Sequence, residues 1–404
     1  MGGKWFSLVD KVVRPATLDL AWHRVARNKG AAGVDGQSVE RFALQSERYL
    51  QELGASLRDG SYRPQPVKRV EMPKGDGKTR PLGIPSVKDR VVPAALKMVI
   101  EPIYEVQFRP GSFGFRPGRG CKDALREVDR LLKDGYTHVV DADLRSYFDT
   151  IPHERPMALV AGSISDGRVL ALIESFLHQD IMTETARWQP MAGTPQGAVL
   201  SPLLANLYLH PLDLLMEQSG YRMVRYADDF AILCASEAKA LAALHQVRVW
   251  VDANGLTLQR ADRSMQHRSA LRLDPDKTRV GDCRQPGQGF EFLGYRFEAG
   301  SRTVRPKSLT AFKDKVRAKT GRSRGDSLGR IVADLNPLPR GWYGSFQHAG
   351  SFLFKVLDGF IRRRLRAVLR KQDKRPSMGH SAADHRRWGN AFFASQGLFT
   401  LYAA

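Results

Sequence analysis

Two adjacent carboxylates interrupt an apolar run in Arg225-Tyr226-Ala227-Asp228-Asp229-Phe230-Ala231-Ile232-Leu233. Met223-Val224 and Ala231-Ile232-Leu233 read as two short strands, which sets the aspartates at the tight turn of a hairpin. Ionised carboxylates beside an apolar surface are costly unless a cation compensates them. Hard oxygen ligands on a short turn suit Mg²⁺, which takes one or two carboxylates and fills its shell with phosphates and water. A solvated Asp-Asp turn looks the same in isolation, so a metal reading needs another carboxylate from elsewhere in the chain. Val139-Val140-Asp141-Ala142-Asp143-Leu144-Arg145-Ser146-Tyr147-Phe148-Asp149 supplies it. This segment alternates as a strand and turns polar where a helix can begin, which places Asp143 at the strand's exit.

The elements that must position these groups follow from pattern. Residues 1–60 read as mainly helical, with Trp22, Val25 and Ala26 as an apolar stripe. Asn28 to Gly36 is a glycine-rich loop, whose freedom serves a close approach to a phosphate chain or a plain connection equally well. Tyr62 to Pro85 reads as a hairpin turning at Lys74-Gly75-Asp76-Gly77-Lys78, with Lys74 and Arg80 facing each other across the ribbon. Ser86 to Phe108 is an amphipathic helix burying Val91, Ala95, Met98 and Val99. The loop from Phe108 to Gly120 interleaves arginine and phenylalanine with glycine, a composition that stacks on bases or presses against a strand's backbone. A helix from Cys121 to Leu132 comes next. Gly193-Thr194-Pro195-Gln196-Gly197 runs into a helix with Ser201 as N-cap and Pro202 as first residue. Ser236 to Asn254 is helical, and residues 259–273 form a polar surface excursion. Phe290 to Phe297 alternates as a hairpin strand. Three helices follow from Pro306, and the one from Ser351 to Lys371 carries an apolar stripe opposite Arg362, Arg363, Arg366 and Arg370.

At 404 residues the chain has core enough for two or three domains. Its net charge is +21, of which +16 falls in residues 301–404, with 22 Lys+Arg against 6 Asp+Glu. A polyanion gripped by that quarter is the natural partner, because neutralising phosphates releases counterions. Cys121, Cys234 and Cys283 lie far apart, which fits reduced thiols in a cytoplasmic protein and neither a disulfide framework nor a zinc site. The N-terminus shows no signal peptide or myristoylation pattern, and no apolar run reaches membrane-spanning length.

In this order the segments resemble the palm of reverse transcriptases. From about Asn28 onward, through Leu335-Asn336-Pro337-Leu338-Pro339-Arg340-Gly341-Trp342 and Trp388-Gly389-Asn390-Ala391-Phe392-Phe393, the chain is similar to the reverse transcriptase/maturase proteins encoded by group II introns. The resemblance implies an α+β right-hand polymerase fold, with fingers and palm over residues 1–300 and a basic helical thumb/maturase domain over 301–404. It implies the form lacking a C-terminal endonuclease domain, since no Cys or paired-His cluster follows. The activity implied is RNA-directed DNA synthesis: a DNA primer on an RNA template is extended with dNTPs by a mechanism using two Mg²⁺.

By the same resemblance Asp143, Asp228 and Asp229 hold the metals, with the Ala142 carbonyl as an alternative to Asp229. Lys74 and Arg80 hold the triphosphate, and Gln196 contacts the nucleotide and nascent pair. Asn206 supports the site, and Lys277 approaches the leaving pyrophosphate. Phe148 lies under the sugar, where it leaves no room for a 2′-hydroxyl. Arg116 and Arg119 contact the template, and Arg362, Arg363 and Arg366 meet the duplex. Asp149 organises hydrogen bonds. Intron RNA is a further implied partner. Two other functions fit the same residues: a non-enzymatic RNA-binding maturase, and a reverse transcriptase recruited to host defence or repair. Arg145 stands where many relatives carry Lys, and residues 259–273 depart from the family pattern, which bears on Lys277.

Overall fold

The computed structural model describes residues 3–75, 78–194, 197–258, 279–323, 325–375, 379 and 381–404, with backbone alone at 74, 75, 78, 80 and 279. Two compact units divide the chain, Met1–Asp282 and Cys283–Ala404.

In the first unit a four-stranded antiparallel sheet is built from β3 (His138–Asp143), β6 (Arg222–Tyr226), β7 (Asp229–Cys234) and β8 (Arg279–Asp282), in the order β6-β7-β3-β8. From Phe230 to Cys234, β7 is buried at every residue, so it reads as an unbroken apolar run and not as an alternation. Helices Ser201–Gln218 and Glu237–Ala253 share one apolar cluster with the sheet, which holds Val140, Ala142, Phe230, Ile232, Leu209 and Val247. Helix Cys121–Lys133 packs against β6 and β7 as well.

A second sheet, ordered β2-β1-β4-β5, contains β1 (Val67–Gly75), β2 (Lys78–Ile84), β4 (Ile181–Met182) and β5 (Arg187–Trp188). The expected hairpin is its body, but the register differs from the sequence reading. Arg80 stands opposite Met72, and the register shifts between Pro73 and Gly75, where Lys74 lies. The two basic residues are therefore not direct cross-strand neighbours.

Helices Pro15–Arg27, Ser46–Asp59, Lys88–Glu105, Glu154–Ser163 and Gly167–Leu177 form a separate apolar core around Trp22, Phe42, Val91, Leu96, Ile100 and Ile173. Asp166 ties the N-terminal segment to it. One carboxylate oxygen accepts from the amides of Leu8 (2.7 Å) and Val9 (2.9 Å), and the other caps the helix that follows, at Arg168 and Val169.

The second unit begins with a meander of β9 (Phe290–Phe292), β10 (Tyr295–Glu298) and β11 (Ser301–Val304). Both turns, Leu293-Gly294 and Ala299-Gly300, have positive φ at each central residue, the type I′ geometry that matches strand twist. These strands pair only among themselves among the described residues, although the expected boundary at residue 300 leaves β9 and β10 with the first 300 residues and β11 with the rest. From Pro306 on there are six helices among the described residues where three were expected: Pro306–Lys319, Leu328–Leu335, Pro337–Phe346, Ser351–Gln372, Ala382–Arg387 and Asn390–Ser395. Asn336 both ends one helix and begins the next, a junction that periodicity alone does not reveal. No helix of the described residues is long and apolar enough to cross a membrane.

Candidate active site

Pairing of Tyr226 with Asp229 leaves Ala227-Asp228 as a two-residue hairpin loop. Ala227 sits at φ +60°, a conformation that a type II′ turn ordinarily gives to glycine. Asp228 thus occupies the turn itself, whereas Asp229 is the first residue of β7 and stands directly opposite Asp143 at the end of β3. Like charges directly opposite each other are destabilising, so this end of the sheet favours a cation. Ala142, one residue back, is buried opposite Phe230.

Asp143 and Asp228 line one cleft of about 840 Å³, together with Phe115, Tyr147, Phe148, Asp149, Ser201 and, from β2, Thr79, Pro81 and Leu82. Phe148 is half-buried in the short helix Tyr147–Thr150, which follows a left-handed Ser146 (φ +47°). Its ring meets Phe115 edge-on at 6.2 Å, and Phe115 lies 6.5 Å from Tyr226, so the rings of Phe148, Phe115 and Tyr226 form a chain whose first two members line the cleft with Asp143 and Asp228. Burial, then a hydrogen bond with the Cys121 thiol, pushes the Tyr226 hydroxyl up to about 12, so it remains protonated at neutral pH. The sequence reading assigned the loop carrying Phe115 to the template, or to a strand's backbone, without singling out this ring.

That loop, ahead of helix Cys121–Lys133, lies against β6 as an added parallel segment. The Phe113 amide donates to the Arg225 carbonyl at 2.8 Å, and the Arg225 amide donates to the Gly111 carbonyl at 2.8 Å. A Cβ at Gly114 would stand 2.2 Å from the Ala227 nitrogen, so only glycine lets the loop back directly onto the aspartate turn. The loop from residue 193 is anchored on the other side. Gly193, at φ +88°, donates to the Ile151 carbonyl, Thr194 donates to that of Phe148, and a buried His153 ring nitrogen lies 2.6 Å from the Gly193 carbonyl. The helix beyond starts on Ser201 itself, with Leu200 at the cap position, one residue from the expected start.

Other expected contacts fare differently. Arg116 is buried: its guanidinium binds the Glu105 carboxylate and the carbonyls of Arg109 (2.7 Å) and Ser112 (2.8 Å) and lies over Phe108. It shapes the loop from inside and is not available to a template. Arg119 is half-buried, donates to the Pro110 carbonyl and lies over Phe113. Gln196, Lys277 and the 259–273 segment lie outside the described residues, as do the side chains of Lys74 and Arg80.

In the second unit Arg366 turns inward. It is buried, donates to the Trp388 carbonyl at 2.9 Å and lies over Phe393. One terminal nitrogen of Arg370 donates to both carboxylate oxygens of Asp384. Arg363 is exposed, and Arg362 lines a pocket of about 520 Å³ with Lys355, Phe393 and Tyr402. The outward arginine face is therefore narrower than helical spacing suggested, because helix Ala382–Arg387 and the residues after it cover part of it.

A group missed in the sequence lies under the turn. Arg225 is fully buried, with both terminal nitrogens and Nε engaged, and its neighbour Asn206 donates to the Gly114 carbonyl at 2.8 Å. Burial alone would lower its pKa; the Asp213 carboxylate more than reverses that. The signal available was an arginine at a strand position flanked by buried apolar residues.

The family described as reverse transcriptase (RNA-dependent DNA polymerase) matches residues 72–297, and the group II intron, maturase-specific domain matches residues 309–388. Protein YkfC of Escherichia coli is 32% identical over 331 residues, covering 72% of this chain and 82% of its own. The chain belongs to the group II intron reverse transcriptase/maturase family. Another member of this reverse transcriptase/maturase family, the group II intron-encoded protein LtrA of Lactococcus lactis, is 37% identical over 210 residues, which are 51% of this chain and 34% of LtrA. Among solved structures, a partial Cas6-RT-Cas1–Cas2 complex is 27% identical, with a TM-score of 0.38, covering 61% of this chain and 41% of that one. This reverse transcriptase/maturase thus carries an RNA-dependent DNA polymerase domain followed by a maturase-specific one.

Proposed function

We propose that the chain extends a DNA primer with dNTPs on an RNA template in the cleft shared by Asp143, Asp228 and Phe148. The observation that carries this reading is their convergence: a carboxylate at the end of β3 and one on the hairpin turn, 85 residues apart in sequence, open into one cleft with an aromatic ring beside them. The donor set fits Mg²⁺. Among the described residues no three His, Cys, Asp or Glu side chains are gathered to hold an ion alone. An ion bound here would draw the rest of its shell from phosphates and water, as Mg²⁺ does. Asp143 and Asp228 would hold it, with Asp229 or the Ala142 carbonyl adjacent. Bound there, two Mg²⁺ would stabilise the attacking and leaving oxygens of an in-line displacement.

The protein's own part is positioning. Phe148 lines the cleft where a sugar would rest, and a ring there excludes a 2′-hydroxyl. The hairpin of β1 and β2 gives the cleft Thr79, Pro81 and Leu82, and Lys74 and Arg80 of the same hairpin are the groups we assign to the triphosphate. The experiment is primer extension on an RNA template with dNTPs and Mg²⁺, and absence of templated product would end this reading.

We infer in addition that the second unit binds intron RNA and assists its splicing. The favouring observation is the maturase-specific match over residues 309–388, which coincides with the charge excess of residues 301–404. Splicing of a flanking intron RNA, assayed with and without protein, tests it. Recruitment of the same chemistry to defence or repair would leave extension intact with no intron to splice.

A further inference from the structure

Resting on the polymerase reading above, we propose that Arg225 is a positioning residue that fixes the Asp228 turn relative to Asp143. Its side chain lies beneath the hairpin, and each of its five N–H groups has an acceptor. Two go to the carboxylate oxygens of Asp213, one of them at 2.7 Å. A third reaches the Ser112 hydroxyl at 2.8 Å. The remaining pair, from one nitrogen, bind the Asn206 amide oxygen and the Ala227 carbonyl, both at 3.0 Å.

The Ala227 carbonyl belongs to the peptide that carries the Asp228 amide. Ala227 holds a left-handed conformation that L side chains adopt rarely, and such a conformation persists only where its surroundings over-determine it. Two contacts do so here. The guanidinium holds the carbonyl, and Gly114 stands against the amide nitrogen with no room for a Cβ. Asn206 joins the two by donating to the Gly114 carbonyl while accepting from Arg225. Asp213 fixes the guanidinium plane from the helix behind the sheet. A buried ion pair alone is weak grounds for a stabilising role, since burying the charges offsets much of their attraction. The forked geometry aimed at the turn is what the pair contributes. Lysine would keep the charge opposite Asp213 but lacks the planar fork that also reaches Ala227 and Ser112.

The test compares wild type with Arg225→Lys and with the double variant Arg225→Met/Asp213→Leu, which removes both charges and strands neither. Single-nucleotide incorporation on pre-bound primer–template is resolved into kcat and KM. Tb³⁺ luminescence, sensitised by the adjacent Tyr226, reports the carboxylate site without turnover, and thermal melting reports folding. Misplacing a reacting group by about 1 Å costs on the order of 100-fold in rate. A kcat loss of about that size is expected in both variants. KM should stay within about twofold, because substrate contacts are untouched, and Tb³⁺ half-saturation should rise about tenfold, in proteins that melt near wild type. A double variant that melts like wild type and keeps wild-type kcat and Tb³⁺ half-saturation overturns the proposal, leaving Arg225 a structural ion. If wild type itself incorporates no nucleotide, the polymerase reading fails separately, and the Tb³⁺ comparison still decides the role of Arg225.

Discussion

The aspartate turn of the first unit and the arginine helix Ser351–Gln372 of the second are both dense in charge, yet they resolve in opposite ways. At the turn, the charges that the sequence marked for chemistry open into a cleft, and an unmarked arginine lies buried beneath them. On the helix, Arg363 is exposed while Arg366 and Arg370 are drawn inward, to the Trp388 carbonyl and to Asp384. Arg225 and Arg366, both buried, also differ. Arg225 faces a carboxylate that raises its pKa despite burial, whereas burial dominates at Arg366 and lowers it. A hairpin turn fixes the exposure of its residues through local geometry. A helix face is exposed only where nothing later in the chain covers it.

The largest expected effect lies at the turn. Asp143→Ala or Asp228→Ala should reduce extension on an RNA template by on the order of 1,000-fold or more, with primer–template binding within a few-fold of wild type. Asp229, which does not line the cleft as those two do, should lose less when replaced by Ala. Equal losses at all three positions, in parallel extension assays, would show that the turn and the strand end are not distinguished in the way the cleft suggests.

That contrast also measures what could be read beforehand. The hairpin, the exit of β3 at Asp143, the helices Cys121–Lys133 and Glu237–Ala253 and the long helix from Ser351 followed from period and turn chemistry, because each is set by neighbours within a few residues. Arg116, Arg225 and Arg366 did not follow, because their partners Glu105, Asp213 and Trp388 are placed by tertiary packing. Nor did the register of Arg80, because the pairing that sets it opposite Met72 runs unbroken along the ribbon from Lys68 to Pro73 and is not fixed by the turn residues.

Phe148 gives the next effect in size. Replacing it by Ala removes a ring that touches Phe115 and Tyr147 on the cleft wall and opens space for a 2′-hydroxyl. Discrimination between dNTP and rNTP, measured as the ratio of their kcat/KM values, should fall by roughly 10- to 100-fold, with smaller loss of dNTP incorporation. An unchanged ratio would return Phe148 to a purely packing role.

A stability comparison separates the two kinds of arginine. Arg366→Gln breaks a buried hydrogen bond and a cation–π contact and should cost about 2 kcal/mol, read from denaturant midpoints. Arg363→Gln, on an exposed site, should stay within about 0.5 kcal/mol. Reversal of that order would mean that the inward turn of Arg366 contributes nothing to folding.

The smallest effect is the one that tests the exposed part of the helix. Phosphate contacts carry no sequence information, and each one contributes about −0.9 to the slope of log K against log salt on a B-form duplex. Only Arg362 and Arg363 of the three arginines first assigned to the duplex remain accessible, so Arg362→Gln/Arg363→Gln should flatten the slope for primer–template binding by at most about 1.8 units. Binding should weaken evenly across template sequences. Adding Arg366→Gln to that pair should leave the slope where it is and lower only the denaturant midpoint, because a guanidinium held by the Trp388 carbonyl and lying over Phe393 neutralises no phosphate and so releases no counterion. A further step of about 0.9 units on adding the third substitution would place Arg366 on the nucleic acid after all. No change of slope in the double variant would take this helix off the duplex and leave its exposed arginines to the intron RNA.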